Sequence, residues 1–222
     1  MPYLKTGHPF YGDVQLFHND EYVCDHIQRN AIWEENIVYR FHQHYTKGNV
    51  IDVGAHIGLH SIALHKLIPE DQYVFSFEAH PTIYEVLERN CKHKSNIRTH
   101  NLAVSDENDR TMYVERIDFD SVSCLNTGGQ GTCDTPTDLP VASTTIDAHD
   151  IKDVTIVKID VEGDEMRVLS GMRRLLLAQA PVLFIEIHPE DRESKIEKIR
   201  KDYGYVSIEQ ITPIDFIFKK LN

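Results

Sequence analysis

The sequence predicts an α/β fold, a mostly parallel sheet with helices on both faces. Short apolar runs alternate with helix-patterned stretches of roughly 10–15 residues from position 49 to the end. One such run ends in a carboxylate and opens onto two glycines four residues apart, in NVIDVGAHIGLHS (49–61). The length of 222 residues and the 41% apolar content suit one domain with a sizeable core.

The elements follow in order. Residues 19–46 carry apolar side chains at mixed three- and four-residue spacing, which predicts one or two helices and makes 1–48 an N-terminal helical segment. NVIDV (49–53) reads as a buried strand and GLHSIALHKLI (58–68) as a helix. QYVFSFE (72–78) is the next strand, and Pro81 sits where a helix begins. IRTHNLAVS (97–105) holds a strand and the turn after it. TMYVERI and PVASTTI look like strands around the Gly/Thr/Asp-rich loop 118–139, and a loop that long within a domain is often functional. The alternation then resumes with VTIVKID (154–160), a helix over 164–179, PVLFIEI (181–187) and a helix ending at Gly204. YVSIE and DFIFKK close the chain as a hairpin, which puts an antiparallel strand in the sheet.

Charge and composition narrow the function. The net charge of −12 weighs against nucleic acid as the main partner, because that affinity rests on Lys and Arg meeting phosphates. No apolar run of about 18 residues is present, so no membrane-spanning helix is expected. MPYLKTGHPF has no apolar signal core. The four cysteines, Cys24, Cys91, Cys124 and Cys133, form no CxxC and read as free thiols of a reducing, cytoplasmic compartment. A Cys124–Cys133 disulfide closing the polar loop is the other reading.

In open α/β sheets ligands bind at the carboxyl ends of strands, beside the switch in strand order. Asp52, Gly54 and Gly58 stand at such an end, and Ser61 follows on the helix, where it either caps or faces a ligand. A nicotinamide dinucleotide prefers GxGxxG, and GAHIG lacks that spacing. S-adenosylmethionine carries an ammonium and a sulfonium, so an aspartate ahead of the glycines makes sense. Asp52 is expected to hold the amino group, directly or through water. Glu78 ends the next strand 26 positions on, where a carboxylate can take both ribose hydroxyls. Ordinary strand-end or capping duties are the alternative for each carboxylate.

Taken together, VIDVGAHIGLHS, FSFEAHP, NLAVSD (101–106), TTID (144–147), VKIDVEGDEMRVLSG (157–171) and FIEIHP (184–189) resemble the FkbM family of S-adenosylmethionine-dependent methyltransferases. The resemblance runs from about residue 30 to the C-terminus. It implies the class I methyltransferase fold, Rossmann-like with a mostly parallel seven-stranded sheet, and O-methylation of sugar hydroxyls in glycans or glycosylated metabolites. Members stand alone or are joined to glycan-building domains, so the chain is either a single domain over 1–222 or a part of a larger glycan-assembling protein. Two positions depart from the family pattern. His56 stands where the family usually has Asn, and Ala79-His80 separate Glu78 from Pro81. The cofactor set expected on these grounds is Asp52, Gly54, His56, Gly58, Ser61, Glu78, Ala79, Ala103 and Asp160, with Ala103 leaving room for adenine.

Methyl transfer to a hydroxyl needs an in-line geometry and a route for the proton. Asp160 sits at a strand end, Glu162 follows in the turn that Gly163 permits, and Glu186 and His188 end the next strand in IEIHP. Asp160, Glu186 and His188 are the candidate catalytic residues, with His188 as base. The same three could instead ligate Mg²⁺ or Mn²⁺. Lys158, buried by pattern, is expected to pair with a carboxylate, and Trp33 to pack in the core or wall the acceptor pocket. The expected partner is a carbohydrate acceptor, with no nucleic acid and no membrane. Three rivals remain: an NAD-dependent oxidoreductase, a non-catalytic domain and an RNA methyltransferase.

Overall fold

The computed structural model describes residues 3–119 and 126–221. It begins with a hairpin where helices alone were expected. Tyr3–His8 (β1) and Gly12–Phe17 (β2) pair antiparallel around a turn in which Gly12 adopts φ +76°. Tyr11, Val14, Leu16 and Phe17 are almost wholly buried, so tertiary packing holds a hairpin whose strands alternate too weakly to be read in isolation. Two short helices follow, Glu21–Gln28 (α1) and Glu35–His44 (α2). Asp20 caps the first by accepting the Val23 N–H at 3.2 Å.

Asn49–Val53 (β3), Leu59–Leu67 (α3), Val74–Phe77 (β4), Pro81–Cys91 (α4) and Ile97–His100 (β5) form the first half of the main sheet. The second half is Val154–Ile159 (β10), Glu165–Gly171 (α5), Arg173–Gln179 (α6), Val182–Glu186 (β11), Arg192–Tyr203 (α7), Tyr205–Gln210 (β12) and Asp215–Lys220 (β13). The seven strands lie in the order β12-β13-β11-β10-β3-β4-β5, with β13 alone running against its neighbours. From β3 the chain winds one way to β5, and the later strands build outward from β10 on the other side. The switch in strand order therefore falls between β3 and β10, where a ligand cleft is expected.

Period-two alternation sends the strand residues to two faces. Val50 and Ile156 join a core with Phe41, Ile62 and Val86, while Ile51, Val53, Val157 and Ile159 join one with Leu169, Ile199 and Phe218.

Two expected elements are split. IRTHNLAVS yields β5 and a two-residue strand, Ala103–Val104 (β6), which belongs to a second sheet. Asn101 stops β5 by turning its amide onto the carbonyls of Glu78 and Ala79, both at 2.9 Å. The second sheet also holds Thr111–Val114 (β7), Thr132–Cys133 (β8) and Pro140–Thr144 (β9). The helix read over 164–179 breaks at Met172 into α5 and α6, where Gly171 lies against the Ser105 carbonyl with no room for a side chain.

Part of the loop 118–139, including Cys124, lies outside the described residues. Cys24, Cys91 and Cys133 are free thiols. Among the described residues no helix is long and apolar enough to cross a membrane.

Gly54 shows how closely the two halves meet. Its φ is +74°, and an added Cβ would lie 1.7 Å from the Asp160 carbonyl. Gly54→Ala is expected to destabilise the fold by about 3 kcal/mol, combining left-handed strain with overpacking. A melting midpoint equal to wild type would show that the corner tolerates a side chain.

Candidate active site

A cavity of about 180 Å³ opens at the carboxyl ends of β3, β4 and β10. Its walls come from several separate elements. The corner between β3 and α3 contributes Gly54, Ala55 and His56, and the ends of β4 and β10 contribute Glu78, Ala79 and Asp160. Ala103 sits at one end between Leu102 and Val104, buried to 2% exposure. Tyr22, Trp33 and the segment 126–130 border the mouth. Tyr22 is 63% exposed there.

The corner is built by backbone. Gly54 and Ala55 donate their N–H groups to the Phe77 carbonyl at 3.0 and 2.9 Å, tying the ends of β3 and β4 together. His56 takes φ +50° and Gly58 φ +90° before α3 starts. Glu78 then accepts the His56 N–H at 2.9 Å on one oxygen and the His80 N–H at 2.8 Å on the other. Each oxygen keeps a lone pair for a ligand. Burial pushes the Glu78 carboxyl up to about 7, against the pull of those two N–H donors.

Asp52 is placed differently from expectation. Its side chain is fully buried beneath the corner and does not line the cavity. It accepts the Ser61 hydroxyl at 2.6 Å and faces Lys158 Nζ at 3.4 Å. Ser61 in turn contacts Ser76 at 2.7 Å, and neither Ser61 nor Gly58 reaches the cavity wall. A direct hold on a cofactor amino group by Asp52 does not fit this arrangement. The reason is period two: Asp52 points to the face covered by α3, below the strand end.

Lys158 is paired, as its burial required. Its ammonium donates to the Gly54 carbonyl at 3.0 Å and lies 3.1 Å from Asp160 Oδ2. Burial works against that charge, but Asp160, Asp52 and Glu34 hold it well above the ordinary lysine range. Asp160 is buried too, yet Lys158 and a hydrogen bond from Glu186 keep it ionised below its usual value. Glu186 is pushed the other way, up to about 10, by burial and by the Asp160 charge beside it. The pair thus shares one proton, held on Glu186.

His188 stands outside the cavity wall with its side chain 39% exposed. Its Nε2 lies 3.0 Å from Glu162 and 3.2 Å from Glu186. The expected trio of Asp160, Glu186 and His188 is therefore joined through Glu186 rather than around one point. Among the described residues the metal-compatible group is Glu162, Glu186 and His188, with ligand atoms within 4.8 Å of one another. Two carboxylates and an imidazole suit a hard divalent cation. Glu162 takes the place expected for Asp160 because the latter is committed to Lys158.

Three features were not read from the sequence. Glu34 reaches the cavity from the start of α2, at φ +46°. His60, on the first turn of α3, also lines it. A chain of hydrogen bonds links the loop to the corner: His56 Nε2 contacts Thr127 Oγ1 at 2.7 Å, and that hydroxyl donates to Asp20. Burial holds the His56 and His60 rings neutral, down at about 4 and about 3. None of these residues carries a spacing signal, since each is brought in by packing from a separate element.

The sequence pattern of the methyltransferase FkbM domain matches residues 52–207. No curated protein sequence matches the chain. A methyltransferase FkbM from Methylobacillus flagellatus KT superposes with a TM-score of 0.53 at 19% identity, over 78% of this chain and 43% of the other. This chain therefore spans less than half the length of that protein. A precorrin-6y C5,15-methyltransferase from Geobacter metallireducens GS-15 gives 0.53 at 14% identity, over 85% of this chain and 88% of the other. A Pyrococcus abyssi tRNA (uracil-54, C5)-methyltransferase, in complex with S-adenosyl-L-homocysteine, gives 0.50 at 13% identity, over 100% of this chain and 45% of the other. At these identities the likeness is one of fold.

Proposed function

We propose, from the premise that this chain belongs to the FkbM family of S-adenosylmethionine-dependent methyltransferases, that it methylates a hydroxyl oxygen of a sugar. The observation that carries the cofactor part is Glu78. Its carboxylate ends the second strand of the main sheet, faces the cavity, and is aimed by two backbone N–H groups. Two adjacent hydroxyls of a ribose match such a carboxylate. Ala103 at the far end leaves space for a flat ring, flanked by Ile83 and Leu102. Ala79 and the corner residues Gly54 and His56 border the same space.

The cofactor supplies a methyl group on a sulfonium, whose carbon–sulfur bond breaks as the acceptor oxygen bonds to carbon. The protein's part is to align the two and to take the hydroxyl proton. Asp160, ionised and at the cavity wall, is placed to accept it. Glu186 is already protonated, and its hydrogen bond steadies Asp160. His188 lies behind Glu186 and Glu162 as the exit for the proton. His188→Ala is accordingly expected to lower kcat by about tenfold while leaving cofactor affinity within threefold, because the proton taken by Asp160 loses its exit while the accepting carboxylate stays in place. Full activity would remove His188 from the proton path.

A carbohydrate acceptor is supported by Tyr22 and Trp33 at the mouth, whose faces suit sugar rings, and by the surrounding carboxylates Glu34, Glu162, Asp164 and Glu186. Those acids and the net charge of −12 oppose a phosphate backbone. The test is methyl transfer from S-adenosylmethionine to a panel of glycosides beside an RNA control. Transfer to RNA alone would overturn the acceptor assignment.

A second reading rests on the proximity of Glu162, Glu186 and His188, which would hold a divalent cation near the acceptor hydroxyl. Turnover abolished by chelation and restored by Mg²⁺ or Mn²⁺ supports it, and turnover unchanged in chelator removes it.

A further inference from the structure

One end of the cavity holds an imbalance that the roles above leave unexplained. Glu34, Asp160 and Glu186 all border it, and Asp215 stands behind them with Ile37 and Phe216. Lys158 is the cation among them, and its donors are already directed at Gly54, Asp52 and Asp160. Among the described residues Glu34 forms no ion pair with a lysine or arginine, and Lys158 acts on it only at longer range. The Trp33 indole donates to it, and burial together with Asp215 and Asp160 pushes it up to about 7.

His60 supplies an independent observation. Its side chain is only 5% exposed, it lines the cavity, and its Nε2 has no hydrogen-bond partner among the described residues. That nitrogen lies 3.3 Å from Glu34 Oε2 without bonding to it. A buried polar atom left unpaired is costly, so a site that keeps one is usually completed by a ligand. The ring is neutral, and a neutral imidazole offers one nitrogen as an acceptor. With the proton on Nδ1, Nε2 is an acceptor beside the Glu34 and Asp160 carboxylates, a setting that suits a small cation with several N–H donors.

We propose that Glu34, His60 and Asp160 form the seat of a primary ammonium group, that of the amino-acid tail of S-adenosylmethionine. This rests on the cofactor reading above and extends it to Glu34, which lies ahead of the matched family domain. One N–H of the ammonium goes to Glu34, one to His60 Nε2 and one to Asp160. The cavity is continuous from Ala103 past Glu78 to His60, so a single molecule spans from ring to tail. Glu34 thereby takes the role that spacing suggested for Asp52, which lies below the floor.

The test is a cycle of four affinities measured by calorimetry. Wild type and Glu34→Gln are each titrated with S-adenosylhomocysteine and with its analogue lacking the α-amino group. Wild type is expected to prefer the amino compound by at least ~tenfold, the scale of one charge-assisted hydrogen bond. In E34Q that preference should fall below about threefold, while affinity for the deaminated analogue stays near wild type. An equal preference in both proteins overturns the proposal, as does equal loss of both ligands in a variant that still melts cooperatively. If E34Q does not fold, Glu34→Asp replaces it, and a preference as large as in wild type overturns the proposal. Wild type that binds neither ligand rejects the cofactor reading itself, a result distinct from the failure of Glu34 alone.

Discussion

Glu78→Ala is expected to weaken S-adenosylhomocysteine binding by about a hundredfold, near 3 kcal/mol, for the loss of two hydrogen bonds to a charged acceptor. The same change orphans the His56 and His80 N–H groups, so the corner itself loosens. Glu78→Gln separates the effects, since it keeps one acceptor for the backbone and removes the charge. Unchanged affinity in either variant would refute the ribose role. The pH dependence has a definite sign. With its carboxyl at about 7, Glu78 is mostly protonated in the empty protein at pH 6. Ribose hydroxyls donate to the ionised form, so binding releases a proton and affinity rises with pH until it levels above about 7. E78Q should be flat over that range. For the empty protein the linkage runs the other way. A carboxyl raised from 4.5 to about 7 contributes stability that is present below 4.5 and lost as pH rises through 7. Calorimetry in buffers of different ionisation enthalpy reads the released proton directly.

Lys158→Met is expected to cost about 3–5 kcal/mol, because it leaves buried carboxylates without their counter-ion. Asp52 is fully buried, Asp160 and Glu34 face the same ammonium, and the Gly54 carbonyl loses its donor. For a chain of this size that corresponds to a fall of roughly 10 °C in melting midpoint. Adding Asp52→Asn to Lys158→Met should recover part of the loss, a non-additivity expected for members of one charge network. A K158M protein melting within a degree or two of wild type would mean that the lysine is not what holds these acids in place. Its effect on activity should exceed its effect on stability, since Asp160 would then compete with Glu186 for the proton they share.

The main sheet was legible because its strands are continuous apolar runs and its helices carry a stripe, patterns that burial on both faces imposes locally. The site was legible where backbone geometry demands a residue type. Gly54 must be glycine against the Asp160 carbonyl, and the strand ends at Glu78, Asp160 and Glu186 all come to the cleft as the topology requires. Asp52 looked equivalent to them and was not. It lies within β3, paired in register with Lys158, whereas Glu78 and Asp160 lie just past their strands. A one-residue difference in where a strand stops changes which side of the floor a carboxylate meets.

The N-terminal hairpin and the reach of Glu34 left no mark of that kind. Their positions depend on contacts with residues far along the chain, such as Gln15 with Asn90 and Arg40 with Glu209. By itself the sequence determined the sheet, its helices, the glycine corner and the carboxylates at the strand ends, because short-range sterics and periodic burial leave those features little choice. Only the tertiary structure decided which acids face the cavity and which lie beneath it, that Lys158 is shared among them, and that Glu34 and His60 meet from separate helices, because charge pairing and desolvation act through space and take no account of spacing along the chain.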